Sequence, residues 1–281
     1  MTSVSIIIPT LFPLKRLTTH AARLASFKPV TEVIVVVNGT GEKHAENFVH
    51  WQYLGKNKGF TGACNAGARA ARGDMLLFLN DDCELTEEAI QKMVEFMESN
   101  PGIVGTQPVV RRQNKVQSTE YQDMNTVQNT IDAKGGVENI GFWVDTTIGK
   151  AFPVTEQAEM KHSSSQQKVY GLSGTCLLIR KEVFEKVGMW DESFHSYLED
   201  VDLAIRLHKL GHRVMPCLDA EAVHAHMTTS SRMGLYKPTQ DVKNWWRLVV
   251  KHPDIFPLSF PLLLERVRNV SGLVKAWFTS R

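Results

Sequence analysis

The sequence predicts an α/β fold, in which a mixed, mostly parallel sheet is flanked by helices and followed by a C-terminal helical tail. Over the first hundred residues, short apolar runs rich in β-branched residues alternate with segments of helical periodicity. Apolar runs without polar alternation are typical of strands buried on both faces of a parallel sheet. Polar residues follow these runs, at the strand ends where open α/β sheets bind ligands.

Composition supports a globular protein. The chain has 281 residues, 43% of them hydrophobic, and a formal net charge of +2. A disordered chain would combine low hydrophobicity with high net charge, and collagen-like or disulfide-rich chains would be dominated by glycine or cysteine. The length allows one large domain or two small ones with a full core.

The first elements form a β-α-β unit. Residues 5–8 and 32–37 are continuous apolar runs, which end in Pro9-Thr10 and in Asn38-Gly39. Between them, residues 16–27 place leucine and alanine at helical spacing. A strand, a helix and a second strand parallel to the first is the economical interpretation.

A second helix, a further strand and a third helix follow. Residues 61–72 are rich in alanine and suit a helix that stops at Gly73, and residues 75–79 form another buried strand. Thr86 is placed to cap the next helix, which has an acidic first turn and stops at residues 100–102.

The second half of the chain is less regular. Residues 111–170 are polar and weakly periodic, so we expect a loop-rich insertion with a few strands that faces a substrate. Beyond it, the pattern predicts a strand at 175–179, helices at 181–186 and 200–210, and a strand over 220–223.

The last fifty residues differ from the rest in charge. Residues 1–231 hold 23 basic and 27 acidic side chains, whereas residues 232–281 hold 9 basic and 3 acidic ones. In this tail, apolar and aromatic residues interleave with Arg and Lys, which suits the surface of an anionic membrane. The alternative is a pair of helices that packs on the rest of the chain or forms a homodimer. Nucleic-acid binding is disfavoured, because the basic excess is confined to the tail.

Cysteine usage and the N-terminus bear on location. The four cysteines are scattered without zinc spacing, so we expect reduced, mostly buried thiols. The N-terminus lacks the features of a signal peptide, and the longest apolar runs are far shorter than the ~20 residues that cross a bilayer. We therefore expect a cytoplasmic protein, peripheral on the inner face of the plasma membrane if it contacts a membrane at all.

Two loops have the chemistry of a phosphate site. Asn80-Asp81-Asp82 follows a buried strand, and adjacent carboxylates there are best compensated by a divalent cation that also binds phosphate. The glycine-rich residues 55–67 open a helix, whose N-terminus favours anions such as a nucleotide diphosphate. The structural alternatives are a solvated turn or helix cap for the carboxylates and an ordinary glycine-rich turn for the loop.

Two further clusters could carry catalysis and metal binding. Glu199, Asp200 and Asp202 fall at a predicted helix start, where one carboxylate could serve as general base or all could simply favour the helix dipole. His224 and His226 end a predicted strand on one face, and either could complete a metal site with Asp82 or be an ordinary core or surface residue.

In their order along the chain, these segments resemble a family 2 glycosyltransferase of the GT-A fold, of the bacterial rhamnosyltransferase-like kind. The similarity covers roughly residues 3–231, and it rests on SIIIPT, VIVVVNGT, NKGFTGACNAG, GDMLLFLNDD and the long stretch from GLSGTCLLIR to YLEDVDLAIRLHKLGH. The resemblance implies a catalytic domain over 1–231, with a nucleotide-sugar half at about 1–110 and an acceptor half at about 111–231, followed by the tail 232–281.

The resemblance also implies roles for individual residues. It assigns donor binding to eight of them: Pro9, Thr10, Asn38, Asn57, Gly59, Asn65, Asp81 and Gly174. It makes Asp200 the catalytic base. It places the acceptor beside Trp190, Asp191 and Glu199. It gives the metal, Mn²⁺ or Mg²⁺, to Asp82 with His224 or His226.

The implied activity is inverting transfer of a sugar from a UDP- or dTDP-linked donor to a hydroxyl of a glycan or lipid-linked glycan in cell-surface polysaccharide synthesis. One rival is a nucleotidyltransferase that makes nucleotide sugars, although residues 9–16 lack the basic glycine-rich signature expected near the first strand. The other is a non-catalytic module of the same fold that binds glycans or nucleotides.

Overall fold

The structure, a computed structural model, describes residues 2–11, 15–40, 48–113, 134–157, 168–225 and 234–279. The strands are β1 Val4–Thr10, β2 Val30–Val37, β3 His50–Tyr53, β4 Met75–Leu79, β5 Cys83–Leu85, β6 Ile103–Thr106, β7 Pro108–Gln113, β8 Lys134–Asn139, β9 Phe142–Asp145, β10 Lys150–Pro153, β11 Lys168–Gly171, β12 Cys176–Arg180, β13 Arg213–Val214 and β14 Cys217–His224. The helices are α1 Lys15–Ala25, α2 Gly59–Ala70, α3 Glu87–Ser99, α4 Lys181–Lys186, α5 Glu199–Lys209, α6 Tyr236–Lys251 and α7 Phe260–Thr279, with a 3-10 helix at Glu192–Phe194.

The main sheet is mixed and mostly parallel, as predicted. Its strand order is β13-β6-β12-β4-β1-β2-β3. β1 is parallel to β2 and to β4, whereas β12 is antiparallel to β4 and β6. The carboxyl ends of β1, β2 and β4 therefore lie at one edge of the sheet.

Both faces of this sheet are buried, which explains the continuous apolar runs. In β1, Ile6 and Ile8 face one core cluster together with residues of α1 and α3. Ile7 faces the opposite cluster with residues of α2 and α4. Because successive side chains of a strand alternate between faces, a strand covered on both sides needs an apolar residue at each position.

Local signals placed several elements correctly. Thr86 caps α3, since its Oγ1 accepts a hydrogen bond of 3.0 Å from the N–H of Ala89. The four cysteines are unpaired and buried, as expected.

The weakly periodic segment 111–170 contributes strands to two small sheets. One has the order β5-β14-β7-β8 and the other β10-β9-β11. Much of the predicted loop-rich insertion lies outside the described residues, namely 114–133 and 158–167.

The tail forms two helices, and α6 shares a core with the rest of the chain. Its Trp245, Leu248 and Val249 belong to one buried cluster with residues of β9, β11 and α5. Within the ranges described, no helix is both long and apolar enough to cross a membrane.

Candidate active site

A cavity of about 590 Å³ opens at the carboxyl ends of β1, β2 and β4. Most of the residues predicted to bind substrates or to act in catalysis line it: Pro9, Thr10, Asn38, Asn57, Gly59, Asp81, Asp82, Gly174, Glu199, Asp200 and His224. His226 lies outside the described residues. The structure thus brings carboxylates from distant parts of the chain to one cavity.

Asn38 organises the glycine-rich loop on the nucleotide side of this cavity. Its side-chain N–H donates to Oδ1 of Asn57 at 3.1 Å and to the carbonyl of Gly59 at 2.9 Å. Its Oδ1 accepts from the N–H of Lys58 at 2.7 Å. Because Asn38 follows β2 and is buried, the loop is fixed to the end of the sheet.

Glycine is the residue type that fits at position 59, where the loop enters α2. Its φ is +75°, and a Cβ there would lie 2.3 Å from the carbonyl oxygen of His195. That oxygen accepts from the N–H of Thr61 at 3.2 Å. The loop and the segment before α5 are therefore in direct backbone contact.

The Asp81 carboxyl lies beside β1. Its Oδ2 accepts a hydrogen bond of 2.7 Å from the hydroxyl of Thr10. Burial raises the pKa of Asp81 to about 6, and the charge of Asp82 adds to this rise while the bond from Thr10 opposes it. The negative charge of Asp81 is therefore only partly compensated by the protein groups around it.

Asp82 and His224 converge on the same wall. His224 Nε2 is 3.0 Å from Oδ1 of Asp82, and its Nδ1 is 3.2 Å from Oε2 of Glu138. Burial disfavours the imidazolium, but the hydrogen bonds to both carboxylates outweigh it and raise the pKa of His224 to about 10. A site that favours positive charge this strongly is suited to a cation.

The donor set fits a divalent metal that the protein holds only in part. A carboxylate oxygen and an imidazole nitrogen are ligands that Mn²⁺ accepts readily, and hard cations commonly complete their shell with phosphate and water. In the part of the chain that the structure describes, no group of three or more His, Cys, Asp or Glu side chains is arranged to hold a metal alone. The remaining ligands would have to come from a bound diphosphate or from water.

Glu199 and Asp200 begin α5 and line the same cavity. Burial and the charge of Asp200 raise the pKa of Glu199 to about 8, and within the described residues its buried Oε2 has no hydrogen-bond partner. Burial also raises the pKa of Asp200, against hydrogen bonds from the N–H of Val201 at 2.9 Å and of Gly174 at 3.5 Å. These N–H groups oppose the effect of burial on Asp200, whereas the charge of Asp200 adds to the rise in the pKa of Glu199.

The turn before α5 has an unusual backbone. His195, Tyr197 and Leu198 have φ values of 63°, 70° and 65°, in the left-handed region that non-glycine residues rarely adopt. Nδ2 of Asn244, in α6, lies 3.0, 2.9 and 2.7 Å from the carbonyl oxygens of Phe194, Ser196 and Tyr197. The tail helix thus holds the turn that leads into Asp200.

Asn65 and Trp190, which the sequence assigned to the donor and the acceptor, are not among the residues that line the cavity. Asn65 is buried in α2, and its side chain pairs with the backbone of Trp190, donating to the carbonyl at 2.8 Å and accepting from the N–H at 3.1 Å. Trp190 is 1% exposed and packs against the rings of Phe60, Phe78 and Phe184. The observed contacts of both residues join α2 to the segment before α5, and their roles toward donor and acceptor stay predictions.

Asp191 is the third residue of the predicted set outside the cavity lining. Its Oδ1 accepts from the N–H of Ser193 at 2.9 Å, and its Oδ2 accepts from Nζ of Lys251 at 2.6 Å. Both carboxylate oxygens thus accept hydrogen bonds that cap the 3-10 helix and attach α6, and the acceptor role of Asp191 stays a prediction.

The sequence did not indicate five residues that matter here. Glu138, Tyr236, Lys237 and Asp241 line the cavity, and Asn244 supports it. Glu138 lies in the weakly periodic segment, where no pattern singles it out. Asn244 is a polar residue beside two tryptophans on the apolar stripe of α6. A polar side chain on an apolar stripe indicates a buried hydrogen-bonding role, and this was the sequence feature that could have identified it.

Comparisons with known proteins agree with this geometry. The family model described as Glycosyl transferase family 2 matches residues 5–188. A low-salt glycan biosynthesis hexosyltransferase, Agl10 of Haloferax volcanii, is 22% identical over 263 residues, which are 90% of this chain and 76% of that protein. An N-acetylglucosaminyl-diphospho-decaprenol L-rhamnosyltransferase of Mycobacterium tuberculosis is 36% identical over 94 residues, 30% of this chain and 31% of that protein.

Solved structures resemble the fold. GalNAc-T7, solved with UDP, GalNAc and Mn²⁺, aligns with a TM-score of 0.61 at 16% identity, over 89% of this chain and 48% of that one. The mannosyltransferase PcManGT from Pyrobaculum calidifontis, in complex with GDP-Man and Mn²⁺, aligns with a TM-score of 0.56 at 12% identity, over 99% and 75% of the two chains. At these identities the likeness shows the fold, which is the GT-A fold.

Proposed function

Because the chain belongs to glycosyl transferase family 2, we propose that it transfers a sugar, with inversion at the anomeric carbon, from a UDP- or dTDP-linked donor to a hydroxyl of a glycan or lipid-linked glycan. One observation carries the proposal. Asp82 after β4 and Asp200 at the start of α5, more than a hundred positions apart in the chain, line the same cavity. An inverting displacement needs a charge-stabilising side and a base, and it needs no protein nucleophile.

Asp200 is the base in this proposal. Its carboxylate takes the proton of the acceptor hydroxyl while the acceptor oxygen bonds to the anomeric carbon and the bond from that carbon to the diphosphate oxygen breaks. The N–H groups of Gly174 and Val201 donate hydrogen bonds that favour the ionised form of Asp200, and burial, which raises its pKa, makes the carboxylate a stronger base.

The donor would bind beside the loop fixed by Asn38 and the residues that follow β1 and β4. The loop presents Asn57 and Gly59 to the cavity at the start of α2. Thr10 at the end of β1 and Asp81 after β4, joined by a hydrogen bond of 2.7 Å, would contact the nucleoside. Asp82 and His224 would hold a divalent cation, which would supply positive charge for the leaving diphosphate.

The test is release of nucleoside diphosphate from a panel of nucleotide sugars, with acceptor mixtures, in Mn²⁺ or Mg²⁺ and after chelation by EDTA. Asp200→Asn keeps the side-chain shape and removes the base, so we expect turnover to fall by ~10³-fold or more with nucleotide affinity nearly unchanged. EDTA should abolish release by the unaltered protein.

The matched control is Asp254→Asn, which changes an exposed aspartate paired with Lys209 outside the cavity, and it should behave as the unaltered protein. Full turnover by Asp200→Asn would defeat the assignment of the base. Release of pyrophosphate instead of nucleoside diphosphate would identify a nucleotidyltransferase, and nucleotide binding without any turnover would identify a binding module.

A further inference from the structure

The last helix, α7, is apolar along its outward side. The exposed apolar residues recur every three or four positions, so they lie along one side of the helix. Six of them form the main row, and they are between 39% and 78% exposed: Phe260, Leu263, Val267, Val270, Val274 and Trp277. Leu264 and Phe278 widen this face to roughly 140° of the helix, at about 100° per residue.

The inward side of α7 anchors the helix to the protein. Leu262 is fully buried, and the guanidinium of Arg266 donates to the carbonyl of Gly149 and lies 4.6 Å from the centre of the Trp245 ring. Glu265 is 7% exposed and pairs with Lys150 at 3.3 Å. The first half of α7 is therefore held in one orientation, with its apolar face outward.

The charges of α7 are distributed unequally between its two sides. Glu265 is the only carboxylate in the sequence of α7, and it is turned inward. Arg268, whose side chain is 68% exposed, and the exposed Lys275 lie along one edge of the apolar face. Arg268 also reaches Oε2 of Glu265 at 3.4 Å, so its charge is partly compensated from the inward side. The outward side of the helix is thus apolar, with basic side chains exposed along one edge and its one carboxylate turned inward.

We propose that α7 docks on an anionic lipid surface, with its apolar face in the boundary between headgroups and acyl chains. A wide apolar face flanked by basic residues, with aromatic residues on the apolar side, is the design of an interfacial helix. The positive edge complements the negative potential of anionic lipids, to which each basic residue near the surface adds affinity.

The same features disfavour a second copy of the chain as the occupant. Paired helices use a narrow apolar seam, and opposite charges beside the seam join the partners. Here the face is wider than such a seam, and the edge offers only Arg268 and Lys275. Two copies would bring like charges together, whereas an anionic bilayer would neutralise them.

Docking through α7 would place the cavity near the membrane. The carbonyl of Gly149 that binds Arg266 directly precedes β10, and Ala151 and Pro153 of β10 line the cavity. An acceptor held in the lipid surface would then lie close to the site. The lipid contact itself does not depend on the proposed transfer activity, because the test measures binding to vesicles.

The experiment is flotation of the full-length chain with phosphatidylcholine vesicles, with and without phosphatidylglycerol as the anionic lipid. We expect flotation with the anionic vesicles and much less with phosphatidylcholine alone. The double variant Val267→Glu/Val274→Glu should float at least about tenfold less, because it places carboxylates in the apolar face. The matched control, Leu210→Glu, changes an exposed leucine at the end of α5 and should float as the unaltered chain does.

A second variant separates charge from apolar contact. Arg268→Gln/Lys275→Gln should lower flotation with anionic vesicles by about tenfold and weaken its dependence on salt. Equal flotation of the unaltered chain and both double variants, or no flotation of any of them, would overturn the proposal. A dimer would also overturn the proposal if light scattering showed that Val267→Glu/Val274→Glu dissociates it and if the unaltered chain did not bind vesicles. The apolar face would then be covered by a second copy of the chain.

Discussion

Asn244 determines the backbone geometry in front of Asp200. Its amide has two hydrogens for three carbonyl oxygens within 3.0 Å, so at least one hydrogen is shared. The turn it binds contains three residues at positive φ, and each such residue costs on the order of 1 kcal/mol. The turn persists because Asn244 and the contact with Gly59 hold it.

Replacing Asn244 should therefore affect chemistry more than donor binding. For Asn244→Ala we expect kcat to fall by roughly tenfold to a hundredfold with little change in the KM of the donor, because Asp200 is displaced by a fraction of an ångström. The free energy of unfolding should fall by about 2 kcal/mol, since buried carbonyls lose their donor. Steady-state kinetics and urea unfolding measure the two effects.

The adjacent Lys243→Ala alters an exposed residue of the same helix and serves as the control. If Asn244→Ala raised the donor KM and left kcat intact, Asn244 would support the nucleotide side and not the base.

At the scale of single residues, the sequence was informative where chemistry requires one residue type. Asp82 and Asp200 were singled out because each lies in an acidic cluster next to a predicted strand end or helix start, and both line the cavity. Asn65 and Trp190 were singled out by a motif, which records the residues that recur together and does not distinguish a ligand contact from the packing contacts that these two residues make. Asn244 was missed because its partners are backbone carbonyls, which leave no trace in a sequence.

At the scale of elements, a buried ionic cluster fastens α1 to β5. Glu84 is 3% exposed and lies 2.8 Å from each of Arg16, His20 and Arg23. Burial alone would raise the pKa of Glu84, but the hydrogen bond and charge of His20 and then those of Arg16 lower it to about 2. The cluster follows Asp82 by two residues, so it also fixes the strand beyond the proposed cation site.

Glu84→Gln should destabilise the protein by about 3 kcal/mol at pH 7, because it leaves the partly buried guanidinium groups of Arg16 and Arg23 without their counter-charge. The folded-state pKa lies below the ordinary value of 4.5, so the stabilisation from the carboxylate is complete above pH 4.5 and is lost as the pH falls toward 2. Urea unfolding at a series of pH values should show the gap between the two proteins closing in that window.

Glu95→Gln, at an exposed position of α3, should show no comparable gap. A gap for Glu84→Gln that stayed constant down to pH 3 would mean that lost packing, and not lost charge, causes the destabilisation.

The elements predicted best are those with the strongest local pattern. The strand at 75–79 and the helix at 181–186 match β4 and α4 residue for residue. β3, with the sequence HWQY, escaped notice because it lies at the sheet edge, is not fully buried and lacks an apolar run. The antiparallel direction of β12 could not be inferred locally, because the apolar content of a strand does not encode its direction.

At the scale of the whole molecule, α6 belongs to the catalytic body. Besides the shared core, Asp202 of α5 is fully buried and lies 2.8 Å from Nε2 of His252 and 2.7 Å from Nζ of Lys251. Removal of everything after residue 231 would therefore strip a wall from the cavity. This is why the lipid test uses point variants of the full chain.

Hydrogen exchange should report this division of the tail. We expect the amides of α6 to be protected to a similar degree as those of α5, because both open only when their common core opens. Residues 270–279 of α7 should exchange at least about tenfold faster, since most of their side chains are exposed. Mass spectrometry of peptides from each helix measures the exchange rates. If α6 were as weakly protected as residues 270–279, the tail would open independently of the core that α6 shares with α5.

The residues that line the cavity come from the first strand, from the middle of the chain and from α6. A chimera that joins this chain to a relative at one junction near residue 110 would therefore combine cavity residues from two different proteins. A hybrid that kept only the first part of this chain would inherit the loop of Asn57 and Gly59 but not the backbone of His195, against which that loop fits without room for a methyl group. We expect such a chimera to keep the substrate preference of this chain only when the loop at Gly59 and the backbone at His195 both come from this chain.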